Sequence, residues 1–229
     1  MTFSELIKAK IPTVTDEQAQ RFETYYSLLV YWNENKCNLT AVTAPEEAID
    51  KHFCDSLLAE PLIEKGAKCV DVGSGAGFPG VPLLIMRPDI ELVMVDSLGK
   101  RVEFLNTLIK ELDLKATAIH ARAEDAARDD KLRGKFDVAL TRAVAKTSIL
   151  LEWTSPFLKV GGKSLMYKSK TAKEELSECE NALKTLNLKA EIVTLDAAWG
   201  DRAVIAAAKT GKTPAAYPRK AGMAKKKPL

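Results

Sequence analysis

The sequence predicts an α/β fold: a seven-stranded, mostly parallel sheet covered by helices, closed by an antiparallel C-terminal hairpin and preceded by N-terminal helices. Three observations predict it. From Lys68 onward, short β-branched runs alternate with amphipathic helical segments, the signature of parallel strands joined by crossovers. The last two strands, Ala190–Leu195 and Arg202–Ala208, are separated only by the turn Trp199-Gly200-Asp201. With no room for a helix between them, they must pair antiparallel. Before Lys68 the apolar period is helical throughout.

Thr15 and Gln18 form a capping-box pattern, and Ala19, Phe22, Tyr25, Leu29 and Trp32 follow as one helical stripe of core residues. Thr43 and Glu46 repeat the pattern, with Pro45 in the first turn, and predict a second helix to about Leu58. Lys68–Val72 reads as a strand, followed by a glycine-rich turn and a helix from about Pro79 to Met86. Glu91–Val95 is a strand ending in Asp96, and Lys100–Leu112 a helix. Strands follow at Ala116–His120, Phe136–Leu140 and Lys163–Tyr167, with helices at Lys146–Leu158 and Lys173–Leu186. Three segments result: a helical extension over 1–66, a core over 67–208 and a basic tail over 209–229.

Composition narrows the classes. At 46% hydrophobic and 28% charged residues the 229-residue chain is of globular type. No apolar run approaches the roughly 18 residues of a membrane span, and no secretory signal opens the sequence. The four scattered cysteines, Cys37, Cys54, Cys69 and Cys179, suggest reduced thiols in a cytoplasmic protein and no metal site. The net charge of +3 divides into a body of −4 and a tail of +7 from Lys209 onward. That asymmetry suits a polyanionic partner, nucleic acid before membrane, although a solubilising disordered end would look the same. Residues 213–229 are expected to be mobile and to meet the phosphates of such a partner. The alternative is a tail that docks back, through Tyr217 and Pro218, and closes the substrate cleft.

The strongest motif is Val70-Asp71-Val72-Gly73-Ser74-Gly75-Ala76-Gly77-Phe78-Pro79-Gly80, which leaves a strand and opens a helix. Glycines allow a sharp turn and close ligand approach. Asp96, at the next strand tip, is placed to accept ribose hydroxyls or to cap the following helix. The turn reads G-x-G-x-G rather than the pyrophosphate form G-x-G-x-x-G, and Asp71 stands where a carboxylate suits the ammonium of S-adenosylmethionine and repels a phosphate. With the antiparallel hairpin, this favours a Rossmann-like class I S-adenosylmethionine-dependent methyltransferase over a dinucleotide-dependent oxidoreductase. Arg122-Ala123-Glu124-Asp125 lies at the third strand tip, where it could meet an adenine edge or simply begin a helix. Arg142 follows the fourth strand and is expected to point into the cleft. His52 and Asp55, one helical turn apart, read as a structural hydrogen-bond pair before a catalytic one, and His120 as structural.

Asn38-Leu39-Thr40-Ala41-Val42, His52-x-x-Asp55-Ser56-Leu57, Asp71 to Pro82, Asp96-Ser97-x-x-Lys100-Arg101, Arg122-Ala123-Glu124, Thr141 to Ala145 and Tyr217 to Gly222 recur in this order in one family. The chain resembles the bacterial small-subunit (16S) ribosomal RNA guanine-N7 methyltransferases, the glucose-inhibited division protein B family. The resemblance implies S-adenosylmethionine as cofactor and ribosomal RNA of the small subunit, or its assembly intermediate, as partner, with the chain a monomer. It implies cofactor contacts at Gly73, Phe78, Ala123, Glu124 and Arg142, to which the motif reading adds Asp71, Gly75, Gly77 and Asp96. It implies substrate and active-site roles for Lys100, Arg101, Arg142 and Lys168; RNA contacts are expected at Lys100 and Arg101 and, from the charge of the tail, at Arg219 and Lys220. A non-catalytic RNA-binding protein is the remaining alternative. Guanine N7 carries a lone pair and no proton, so the reaction needs no general base, in keeping with only two histidines in the chain.

Overall fold

The computed structural model describes residues 1–229. The sheet has seven strands: β1 (Lys68–Val72), β2 (Glu91–Asp96), β3 (Ala116–His120), β4 (Phe136–Arg142), β5 (Leu158–Lys168), β6 (Leu188–Leu195) and β7 (Arg202–Lys209). Their spatial order is β3-β2-β1-β4-β5-β7-β6. β1 to β5 pair in parallel, and β7 runs antiparallel between β5 and β6. The order reverses between β1 and β4, which opens a crevice at their C-terminal ends.

Strand alternation divides the core. Cys69, Leu92, Met94, Leu140, Leu165 and Val204 face the N-terminal helices and the helices Gly80–Met86 and Gly99–Glu111. Met166, Ile205 and Ala207 face the helices Thr147–Thr154 and Glu180–Leu186, while Val70, Val72, Val95 and Ala139 pack with Phe136 and Phe157.

The N-terminal region packs on the first face. Helix Phe3–Lys10, opened by a Thr2–Glu5 capping box, precedes helix Asp16–Asn35 and had no counterpart in the sequence reading. The expected Thr43 cap does not form. The next helix starts at Pro45 behind Ala44, and Ile49–Cys54 takes the wider π-helical turn before Asp55–Leu57 resumes α-geometry. Two core-side expectations also change. The helix expected over Lys146–Leu158 ends at Thr154, because Leu158 already begins an eleven-residue β5. The helix expected over Lys173–Leu186 is two, Ala172–Ser177 and Glu180–Leu186.

The tail is packed rather than mobile. Glu152, 1% exposed in helix Thr147–Thr154, accepts the Arg219 backbone N–H at 2.8 Å and the Arg219 guanidinium Nη2 at 2.6 Å. Arg128 donates to the Pro218 carbonyl, and Lys225 lies over the Trp153 ring at 5.3 Å. A short helix, Met223–Lys226, ends the segment. A buried carboxylate requires a cation, and the tail provides it. The docked alternative therefore describes this structure.

Candidate active site

The crevice at the β1/β4 switch has a volume of about 440 Å³. Its floor is the turn after β1, where Gly73 and Gly75 have φ of +75° and +58°. A β-carbon on Gly73 would meet Val144 Cγ2 at 2.8 Å, whereas one on Gly75 would meet nothing closer than 3.9 Å and would stand in the crevice. The turn is braced from outside: the Tyr25 hydroxyl donates to the Ala76 carbonyl at 2.5 Å, and Gly77 packs against that same Tyr25 rather than lining the crevice.

Asp96, at the end of β2, lines the crevice. Its Oδ2 accepts the Gly75 N–H at 2.9 Å and its Oδ1 the Leu98 N–H at 2.9 Å. One carboxylate thus joins the glycine turn to the start of helix Gly99–Glu111, and both oxygens retain lone pairs for a ligand. Arg101, expected to meet RNA, turns inward to line this crevice, 3.8 Å from Asp96 Oδ2. Lys100 stays exposed and lines neither cavity of the site.

Asp71 departs from its expected place. It shares a strand face with Cys69, so its carboxylate lies beneath helix Gly80–Met86, where Oδ2 accepts the Gly80 N–H at 3.0 Å. It is fully buried and does not line the crevice. Burial pushes its pKa up to about 7, against the hydrogen bond from Gly80 and the charge of Arg142.

At the β3 tip, Ala123 and Glu124 line the crevice, and Glu124 Oε1 accepts the Gly222 N–H at 2.9 Å. The docked tail therefore forms one wall, with Gly222 and Lys225 in the lining. Trp153 also lines it, and its buried indole N–H has no partner in the protein.

Arg142, at the end of β4, does point into the cleft. Its guanidinium lies 5.0 Å from the Phe78 ring centroid and donates to Asp55 Oδ2 at 2.9 Å. His52 stacks on Phe78 at 4.7 Å and shares a 2.7 Å hydrogen bond with the Thr40 hydroxyl. His52 and Asp55 do not bond to each other as expected: Asp55 instead holds Arg142, Arg202 and the Trp199 indole N–H. Burial, reinforced by Arg142, lowers the His52 pKa to about 4. His120 contacts the carbonyl of Ser97, a residue of the crevice lining, but does not itself line the crevice.

A second cavity of about 520 Å³ adjoins the first, and His52, Arg142 and Ala143 line both. Lys168 lies in it, donating to Glu175 at 2.7 Å and to the Ala145 carbonyl at 3.1 Å. Burial alone would raise the Glu175 carboxyl, but hydrogen bonds from Lys168 and Thr147 hold it down at about 2. The two cavities thus bring together Gly73, Gly75, Phe78, Asp96, Ala123, Glu124, Arg142 and Lys168, and leave Asp71, Gly77, Lys100, Arg219 and Lys220 outside.

The residues present fit S-adenosylmethionine. The crevice has the size of a small-molecule site, a turn open at Gly75, carboxylates at two strand tips and an unpartnered indole donor.

The sequence model of the family described as rRNA small subunit methyltransferase G matches residues 18–203. A protein of that name from Desulfitobacterium hafniense is 48% identical over 220 residues, covering 94% of this chain and 91% of its own. One from Streptococcus agalactiae is 46% identical over 226 residues, covering 95% and 94%. Among solved structures, a precorrin-6y C5,15-methyltransferase from Geobacter metallireducens superposes with a TM-score of 0.52 at 12% identity, over 77% of this chain and 96% of its own. M. jannaschii TYW2 in complex with AdoMet does so with 0.53 at 20% identity, over 67% and 72%. The chain belongs to the rRNA small subunit methyltransferase G family and is an enzyme, a methyltransferase whose cofactor is S-adenosylmethionine. The oxidoreductase and the non-catalytic RNA-binding protein are set aside. No helix is long and apolar enough to cross a membrane.

Proposed function

We propose that this member of the rRNA small subunit methyltransferase G family methylates N7 of a guanine in 16S ribosomal RNA, within the small subunit or an assembly intermediate. The observation that carries the reading is the wall common to the two cavities: His52, Arg142 and Ala143 border both, so a cofactor in one would lie against a base in the other. S-adenosylmethionine, when bound, supplies the electrophilic methyl group.

The chain's residues hold and orient. Asp96 takes the ribose hydroxyls, Ala123 and Glu124 the adenine edge, and Gly73, Gly75, Phe78 and Arg142 the methionine end. In the adjoining cavity Lys168 and Arg142 offer donors to the purine edge and its phosphate. No proton leaves guanine N7, so no base is required, and placing the lone pair in line with the methyl can supply roughly 7–11 kcal/mol of the barrier. The product ring is cationic. His52 is neutral at physiological pH and adds no opposing charge, while Glu175 remains anionic. Exposed Lys100 and Lys220 suit RNA phosphates. Arg219, committed to Glu152, acts as a positioning residue for the crevice wall.

Nucleoside mapping of small-subunit RNA from cells with and without this chain tests the reading. One N7-methylguanine should disappear with the chain. Its persistence would overturn the assignment.

A further inference from the structure

The end of the sheet opposite the crevice holds a separate concavity of about 320 Å³. It lies between the turn before β4, the start of β5 and the end of β7. Four of its nine lining residues are cations, Arg133, Lys159, Lys209 and Lys212, and none is acidic.

The balance of charge there is incomplete. Lys159 is met by Asp137 at 2.8 Å, outside the lining. Arg133, Lys209 and Lys212 form no ion pair. Lys209 is 5% exposed, a degree of burial at which an ammonium ordinarily has a counter-charge. Its Nζ donates only to the carbonyls of Ser155 at 2.9 Å and Leu158 at 2.7 Å, which leaves one of its three N–H groups free. Arg133 donates to the Ala127 carbonyl at 3.2 Å, with the Thr213 and Pro214 carbonyls no nearer than 3.5 Å. Carbonyl dipoles offset part of the charge. Burial and the Arg133 charge together lower Lys209 to about 8, so it remains mostly protonated at neutral pH and the two cations repel.

A planar fork from the turn before β4, and an ammonium and a second, exposed ammonium from the end of β7 and the residues after it, converge on one cavity. That is the donor set of a multiply charged anion with several oxygens. We propose that this concavity binds a phosphate group through Arg133, Lys209 and Lys212. The group can be free phosphate or a backbone phosphate of RNA, and the second source rests on the RNA-methylation reading.

The test uses the full-length chain and inorganic phosphate, titrated at pH 7 and constant ionic strength against chloride, with melting temperature as readout. Lys212→Glu alters an exposed side chain and preserves the fold. The wild type should show a saturable rise with phosphate and none with chloride, and the variant should need at least tenfold more phosphate. No saturable rise in the wild type, or the same midpoint in both proteins, overturns the site. A second arm measures binding of a small-subunit RNA fragment against salt. If the phosphate belongs to RNA, the log–log slope should flatten by about 1 in the variant. An unchanged slope, with the phosphate response lost, assigns the site to free phosphate. Failure of the wild type to bind the fragment would count against RNA methylation and leave the phosphate result standing.

Discussion

Asp55 accepts a hydrogen bond from Arg142 at 2.9 Å, and the pair ties the helical run behind the crevice to the tip of β4. Asp55 is 5% exposed and also takes the Arg202 guanidinium and the Trp199 indole N–H, so one carboxylate gathers β4, β7 and the turn before β7. Removing it in Asp55→Ala leaves two guanidiniums without their counter-charge. The variant should lose about 3–5 kcal/mol of stability. Methyl transfer should fall further than the folded fraction, because Arg142 loses its orientation. Denaturant unfolding and single-turnover rates at a temperature where the variant is folded check both.

Gly73 tests the turn. At φ +75° an added side chain is strained by about 1–2 kcal/mol, and its β-carbon would also press on Val144. Gly73→Val should therefore cost stability as well as abolish S-adenosylhomocysteine binding, measured by calorimetry. A fully stable Gly73→Val protein would contradict this packing.

The tail is predicted to act on the cofactor crevice. Arg219→Ala leaves Glu152 buried and unpaired, at a cost of about 3–5 kcal/mol. It should release the wall formed by Gly222 and Lys225, so S-adenosylhomocysteine affinity should drop while the salt slope of RNA binding stays at its wild-type value, without the flattening of about 1 that a lost phosphate contact would give. A flatter slope with unchanged cofactor affinity would restore a phosphate-contacting role for Arg219.

Asp71 gives a signed pH effect. Its folded pKa, about 7, lies above its usual value of 3.8, so between these values the native state binds more protons than the unfolded state. Its contribution is therefore lost as pH rises from about 4 to 7, by up to about 1.4 kcal/mol per pH unit. His52 acts oppositely: its lowered pKa makes stability rise with pH between about 4 and 6.5. Asp71→Asn removes only the first effect. Urea midpoints should show the variant gaining on wild type as pH rises through this window, and parallel pH profiles would contradict it.

Much of the site was legible because strand tips at a topological switch converge. Asp96, Glu124 and Arg142 each end or follow a predicted strand, and all three line the crevice. Asp71 was misplaced because strand identity alone does not say which face a side chain takes: alternation with Cys69 turns it under Gly80. The tail was misread from its charge. Its partner, Glu152, lies 67 residues from Arg219, but a glutamate inside the apolar run Ile149–Trp153 was the available signal that a distant cation must reach it. Thr43 carries a cap pattern, but the helix starts one residue later than that pattern implies, with Ala44 as its N-cap and Pro45 as its first residue.

The most direct measurement incubates the purified chain with methyl-labelled S-adenosylmethionine and small ribosomal subunits, then digests the RNA to nucleosides. The account predicts label in N7-methylguanosine alone, and its loss in Arg142→Ala at unchanged fold. Label in another nucleoside, or equal transfer by Arg142→Ala, would contradict it.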